Sequence, residues 1–317
     1  MWTCLLEGKV RIVSVGEVLW DVLGSHEYLG GAPLNFSVHA RRLGESALVV
    51  SAVGNDERGM RALRQIQGLG ISVDGVTLQV SADHPTGAAI VKTDDAGNAR
   101  FSIARPAAFD CVQVTDSFIQ RIQEYGPDWF YFGTLAQTDA RAESNLHRIL
   151  ECVTKAKRFY DINLREGHWN LPLVQRLSAL ADVIKLNESE TQILFAQTQP
   201  GQTYQLEAFC EYWSKMWSIE TICITLGGQG CAVFSKHALH YVRGFRVQVV
   251  DTVGAGDAFS AAFLHGMYSG WDITRSATFA NALGALVASR AGATPVWTRE
   301  ECLALISKAA AEPHEKA

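Results

Sequence analysis

The chain has 317 residues, 48% of them hydrophobic and 19% charged, with a net charge of −5. That length allows one large α/β domain or two ordinary ones, and the composition excludes extended disorder. The acidic balance provides no basic face for nucleic acid or an anionic membrane, so neither partner is expected.

The seven cysteines are scattered, odd in number and without a CxxC pair. They predict free thiols of a cytoplasmic protein rather than a disulfide framework or a structural zinc. The N-terminus lacks a basic segment followed by a long apolar run, and the most apolar window, 277–289, is too short to span a bilayer.

In chain order, residues 10–15 form a short strand rich in β-branched residues, and 31–43 a helix with apolar residues at Leu34, Val38 and Leu43. Residues 47–53 form a second buried strand ended by Gly54-Asn-Asp56, followed by a helix over 58–69 that stops at Gly70. This alternation predicts a mainly parallel sheet with helices on its faces. Residues 86–103 break the rhythm. Two strand-like runs flank Asp94-Asp-Ala-Gly-Asn98, which is hairpin chemistry. Residues 20–29 alternate loosely and can pair with that hairpin, giving a small accessory sheet, a lid. Further strands are predicted at 129–132, 158–162, 183–186, 221–225, 231–234 and 247–250. Helices are predicted around 142–155, 172–181, 206–217, 258–269 and 274–290, and a surface loop at 197–205.

The strongest chemical signal is Gly254-Ala255-Gly256-Asp257 running into the helix from Ala258. A helix start offers unpaired N–H groups and the positive end of the dipole, and glycine lets a phosphate approach that backbone closely. A carboxylate there can take a proton from a hydroxyl attacking a γ-phosphate. Taken alone, these residues weigh evenly between that site and a carboxylate that caps a helix. Asn187-Glu-Ser-Glu190 ends a core strand, where α/β folds bind ligands, although a capping box explains the same spacing. Thr225-Leu-Gly227-Gly-Gln-Gly230 is either a backbone seat for a nucleotide or a bare tight turn. Gly30-Gly31-Ala-Pro-Leu-Asn35 opens a helix where Asn35 can meet sugar hydroxyls, and Asp21 precedes it on the lid. Asp161, Asn163 and Arg165 share one side if their strand continues through Arg165. The chain has no P-loop, no dinucleotide fingerprint after the first strand, no nucleophile elbow and no His-Glu-x-x-His.

In order, these segments resemble the ribokinase-like (PfkB) family of carbohydrate kinases. The resemblance is carried by Asp251-Thr-Val-Gly-Ala-Gly-Asp-Ala-Phe259 and by Gly30-Gly-Ala-Pro-Leu-Asn-Phe36 with Arg42-Leu-Gly44, and runs from Gly16 to Pro295. It implies one kinase domain over 1–317: a Rossmann-like three-layer α/β fold with a mainly parallel central sheet, plus a small β-sheet lid from segments at about 17–30 and 86–105. It implies Asp257 as general base and the 254–256 backbone as anion hole. Asn187 and Glu190 would act with Mg²⁺ and phosphate, Glu190 through water. Thr225, Gly227 and Gly230 would form the nucleotide turn, with Asn281 beside the adenine. Asp21, Gly31 and Asn35 would contact the sugar. Asp251 would lie in the region of a monovalent cation such as K⁺.

Within the family the likeness is to bacterial fructokinases, through Gly16-Glu-Val-Leu-Trp-Asp-Val22, Val49 to Asp56, Phe132-Gly-Thr-Leu-Ala-Gln137 and Asp161-Ile-Asn-Leu-Arg165. It implies ATP-dependent phosphorylation of a primary hydroxyl of fructose, with Gln137, Asn163 and Arg165 also on the sugar. Leu34 departs from the pattern, standing where a small Ala is usual. Kinases for 2-keto-3-deoxygluconate, ribose or a nucleoside are rival expectations. A catalytically silent sugar- or nucleotide-binding protein is a rival of a different class, and a nicotinamide oxidoreductase a more distant one. The exposed edge of a lid sheet favours a homodimer through the lid.

Overall fold

The structure is a computed structural model that describes residues 9–93 and 99–311. In its first half the strands are β1 (Arg11–Val15), β2 (Leu19–Leu23), β3 (His26–Gly30), β4 (Ser46–Gly54), β5 (Leu78–Ser81), β6 (Gly87–Thr93) and β7 (Ala99–Ile103). Helices α1 (Ala32–Arg42), α2 (Glu57–Gly68) and α3 (Asp116–Tyr125) accompany them. In the second half β8 (Trp129–Gly133), β9 (Lys157–Asp161), β10 (Val183–Asn187) and β11 (Thr221–Thr225) alternate with α4 (Ala140–Cys152), α5 (Leu171–Ser178), α6 (Glu188–Thr198) and α7 (Leu206–Trp217). The hairpin β12 (Gly230–Ser235) and β13 (Ala238–Arg243) leads to α8 (Ala255–Tyr268), α9 (Ile273–Ala288) and α10 (Arg299–Ala311).

Nine strands form one sheet in the order β13-β12-β11-β10-β9-β8-β1-β4-β5. All neighbours are parallel from β5 to β11, and β12 and β13 run antiparallel. The central strands are covered on both faces, which is why they are near-continuous apolar runs such as the buried Trp-Phe-Tyr-Phe-Gly of β8. Alternate residues feed separate cores. Phe130 and Phe132 pack among α3–α7, while Trp129 and Tyr131 pack with α1, α8 and α9. The chain leaves β1 for β4 on one side and returns to β8 on the other. That reversal makes a crevice outside the carboxyl ends of these strands.

Four strands form the lid, in the order β3-β2-β6-β7. Leu19 pairs with Gly87 in parallel, and hairpins extend on either side. Both predicted lid segments are therefore present, while the expected turn at 94–98 lies outside the described residues. Leu34 is buried with Val18, Trp20 and Val38, so it packs α1 against the lid base. Asp56 caps α2 through Gly59 N (2.7 Å) and holds Thr86 by its amide (2.8 Å) and hydroxyl (2.6 Å), which ties the start of β6 to the end of β4.

Some expectations are corrected. Residues 247–250 are not a strand. Val249 and Val250 are exposed, and the last strand is β13 instead. The strand through Asp161 does not continue to Arg165, because it stops at Asp161 and Asn163 takes a left-handed conformation with φ 42°. Asp161, Asn163 and Arg165 therefore do not share a strand face. β5, α3 and α10 were not anticipated. Among the described residues no helix is long and apolar enough to cross a membrane, and the six described cysteines are free thiols.

Candidate active site

α8 starts at Gly254, whose φ of 77° favours glycine. A side chain there is also excluded by space, since a Cβ would lie 2.3 Å from the Ala293 carbonyl oxygen. That carbonyl is itself held. Trp297 Nε1 donates to His39 Nδ1 (2.9 Å), which leaves His39 Nε2 as the protonated nitrogen, and it donates to Ala293 O (3.0 Å). Asp251 accepts from Val253 N and Gly292 N, both at 3.0 Å, pinning the two loops that frame this helix start. Ala255 N makes only a long 3.3 Å bond to Thr252 O. The first-turn amides of a helix have no intrahelical acceptor, which is what suits a helix start to an anion.

Asp257 is not the cap, which is Gly254 with no side-chain cap bond. The carboxylate is 8% exposed and accepts from Asn35 Nδ2 at 2.9 Å, across from α1. Burial, seconded by the negative charge of Asp161, pushes its pKa up to about 7; Lys185, the Asn35 hydrogen bond and Arg165 pull it down. Asn35 Oδ1 is buried without a partner, an acceptor that a ligand hydroxyl would satisfy.

Behind Asp257 lies a buried charge pair that the sequence reading gave no role. Lys185 Nζ is 3.2 Å from both oxygens of Asp161. Asp161 also accepts from Tyr131 Oη (3.0 Å) and Ser260 Oγ (3.2 Å). A charge inside the apolar run Val183-Ile-Lys-Leu186 was the available signal, because a lysine in a strand covered on both faces needs a partner.

At the start of α1, Gly31 caps the helix with φ 116°, and a Cβ there would meet the Glu17 carbonyl at 2.2 Å. Glu17, also without a role in the sequence reading, is buried and accepts from Ala32 N at 3.0 Å. Burial pushes its carboxyl up, against the pull of its backbone hydrogen bonds and of Arg165 and Arg105. Asp21 stands on β2, and burial pushes it up to about 6, with Arg165 opposing and Asp251 adding to the rise. Arg165 is exposed and donates to Asn163 Oδ1 at 2.6 Å. Its charge thus acts on Asp21, Asp257 and Glu17 together. Gln137 is placed differently. It is buried on the short turn after β8 and lines a cavity of about 20 Å³ with Asp110 and Asn145, and no residue of the Asp257 group lines that cavity.

At the ends of β10 and β11, Asn187 and Glu190 form the capping box of α6. Glu190 accepts from Asn187 N and Leu164 N, both at 2.8 Å, and is nearly buried. Its oxygens therefore hold backbone first, and each keeps a lone pair for water. No group of three His, Cys, Asp or Glu suited to a metal occurs among the described residues. The carboxylate and amide oxygens of Glu190 and Asn187, each with a lone pair left, suit Mg²⁺, a hard cation that keeps its waters and is held largely by substrate phosphates. Thr225 ends β11, and the turn from Gly227 to Gln229 leaves open space around Gly227 and Gly228, where a Cβ would meet nothing within 4 Å. Gly230, with φ 109°, is packed against β13. Asn281 spends its amide on the Val242 and Arg243 carbonyls, both at 3.1 Å, so it anchors α9 to β13. Asn281 therefore supports the wall beside the turn, with its donor group occupied.

Asp257 thus sits buried in the first turn of α8, held by Asn35 of α1, with the charges of Lys185 and Asp161 acting on it from β10 and β9. The model of the pfkB family carbohydrate kinases matches residues 10–299. A fructokinase of Escherichia coli is 31% identical over 248 residues, covering 76% of this chain and 77% of that protein. An aminoimidazole riboside kinase of Salmonella typhimurium is 30% identical over 284 residues, covering 83% of each. The crystal structure of a fructokinase with bound ATP from Xylella fastidiosa superimposes with a TM-score of 0.82 at 25% identity, covering 95% of this chain and 99% of that one. The chain belongs to the pfkB family of carbohydrate kinases.

Proposed function

We propose that this sugar kinase is a fructokinase, transferring the γ-phosphoryl group of ATP to a primary hydroxyl of fructose. The observation that carries the reading is the buried Asp257 carboxylate at the start of α8, held by Asn35 beside first-turn amides that lack intrahelical acceptors. Asn35 Oδ1 receives a sugar hydroxyl, and Asp21 and Gly31 bound the sugar from the lid and from α1. Asp257 removes the proton of the attacking hydroxyl, whose oxygen bonds to the γ-phosphorus as the bond to the ADP oxygen breaks. The amides of Gly254, Ala255 and Gly256 hold the charge on the transferred group. The nucleotide lies along Thr225, Gly227 and Gly230, beside the wall that Asn281 supports. When bound, Mg²⁺ neutralises phosphate charge, with Glu190 and Asn187 ordering its waters. Asp251 and the neighbouring carbonyls are the region for a monovalent cation such as K⁺.

The acceptor is the open choice within this chemistry. Arg165 with Asn163 at the mouth suits a sugar acid such as 2-keto-3-deoxygluconate as a second reading, because a guanidinium pairs well with a carboxylate. Fructose is favoured by the likeness to fructokinases in sequence and in fold. A kcat/KM panel of fructose, 2-keto-3-deoxygluconate, ribose and a nucleoside, read by coupled ADP formation, should rank fructose first. A higher value for any other acceptor would transfer the assignment to it.

Asp257→Asn should keep the fold and most ATP affinity while losing at least about 10²-fold in kcat, the low end for a general base. Near-normal turnover would remove Asp257 from the role. If the wild type bound fructose and ATP but released no ADP, the chain would be a silent binding protein.

The lid carries exposed Leu23, Tyr28 and Ile90, which supports a homodimer through this sheet. Light scattering should give twice the 34.7 kDa chain mass, reduced to the monomer by Tyr28→Lys. A monomeric wild type would rule the dimer out.

A further inference from the structure

Lys185 takes no part in the chemistry above, yet it is 7% exposed and packed against the first turn of α8. A Cβ on Gly256 would lie 2.9 Å from its Nζ, so the ammonium occupies the space a side chain would need. This is a costly place for a cation. It is desolvated, and it lies against the positive end of a helix. Asp161, fully buried and bonded through both oxygens to Lys185 Nζ, offsets that cost. Ser260 Oγ lies 3.2 Å from Asp161 Oδ2 and 3.0 Å from the Gly256 carbonyl oxygen, so the pair is also linked to the backbone of the anion hole. A well-packed apolar pair would often serve stability as well as a buried ion pair does. Its presence here therefore points to a task in the site.

We propose that Lys185 and Asp161 are opposed positioning residues for Asp257, the ammonium favouring its carboxylate form and the buried carboxylate favouring its protonated form. The inference rests on Asp257 being the base. The charge of Lys185 acts on Asp257 from β10 and that of Asp161 from β9. Arg165 acts from the loop after β9, Asn35 donates from α1, and the Tyr131 phenol on β8 stays neutral because burial pushes it well up. Glu190 of α6 acts on Lys185 in turn. The two charges hold Asp257 between an ordinary carboxylate, too weak a base, and a buried acid, too rarely ionised to accept a proton at neutral pH.

The test is the pH dependence of kcat/KM. Asp257 works deprotonated, so activity falls as pH drops through about 7. Lys185→Met should move that acid limb up by about one unit or more, and Asp161→Asn should move it down. Opposite displacements are something a purely structural pair would not produce, since lost packing lowers activity without moving the limb. Thermal melting confirms that each variant is folded. If Lys185→Met does not fold, Asp161→Asn and the double variant carry the test, and the double variant should return the limb toward the wild-type position. Folded variants whose limbs stay at the wild-type pH overturn the inference while leaving Asp257 as base. A wild type with no acid limb between pH 6 and 8, or an active Asp257→Asn variant, overturns the base assignment and this inference with it.

Discussion

A carboxyl group buried at the beginning of a helix is the constraint on which the site depends. Water would hold Asp257 ionised at low pH, and its burial removes that water. Everything packed around it either compensates the lost solvation or uses the result. Asn35 supplies one hydrogen bond from α1, and the helix start supplies dipole and amides. The Lys185–Asp161 pair supplies charge of both signs. A carboxylate with a proton affinity near neutrality at a helix start suits the proposed role in phosphoryl transfer to an alcohol.

The fold delivers these groups by topology. The parallel strands end together at one edge, so Asp161, Asn187 and Thr225 arrive from three neighbouring strands. α8 starts at the same edge and lies across the sheet. It approaches α9 closely because Gly266 leaves room, where a Cβ would meet Ser276 Oγ at 2.5 Å. The loop at 292–297 is bolted to α1 through His39 and Arg42, so the helix carrying Asn35 and the loop backing Gly254 are fastened to each other. Asp21 lies on the lid strand β2, and Asp56 ties the start of β6 to the end of β4.

Much of this was legible in the order of residues, and the failures share a cause. Central strands were found because burial on both faces demands apolar runs. The two missed strands, β5 and β13, are the edges of the large sheet, where exposed residues such as His240 and Tyr241 blur the pattern. The Val-rich stretch at 247–250 imitated a strand but lies exposed. α3 buries only Phe118 and Ile122, and α10 only Cys302, too little for a clear stripe. In the site, local motifs were readable: the Gly-Ala-Gly-Asp turn, the Gly-Gly-Ala-Pro turn and the capping box. What escaped was pairing between distant residues. Lys185 meets Asp161 across neighbouring strands, and Asn35 meets Asp257 across 222 positions, which no local pattern encodes. Asn281 shows the converse: the resemblance put it beside a ligand, and its side-chain amide bonds the Val242 and Arg243 carbonyls.

The central claim concerns the ionisation of one group, so the most direct measurement is its titration. Carboxyl-detected ¹³C NMR of the wild type, with Asp257→Asn to assign the resonance, should show Asp257 titrating at about 7. A midpoint near the ordinary aspartate value of about 3.9 would mean that burial does not tune this carboxylate, and would contradict the account.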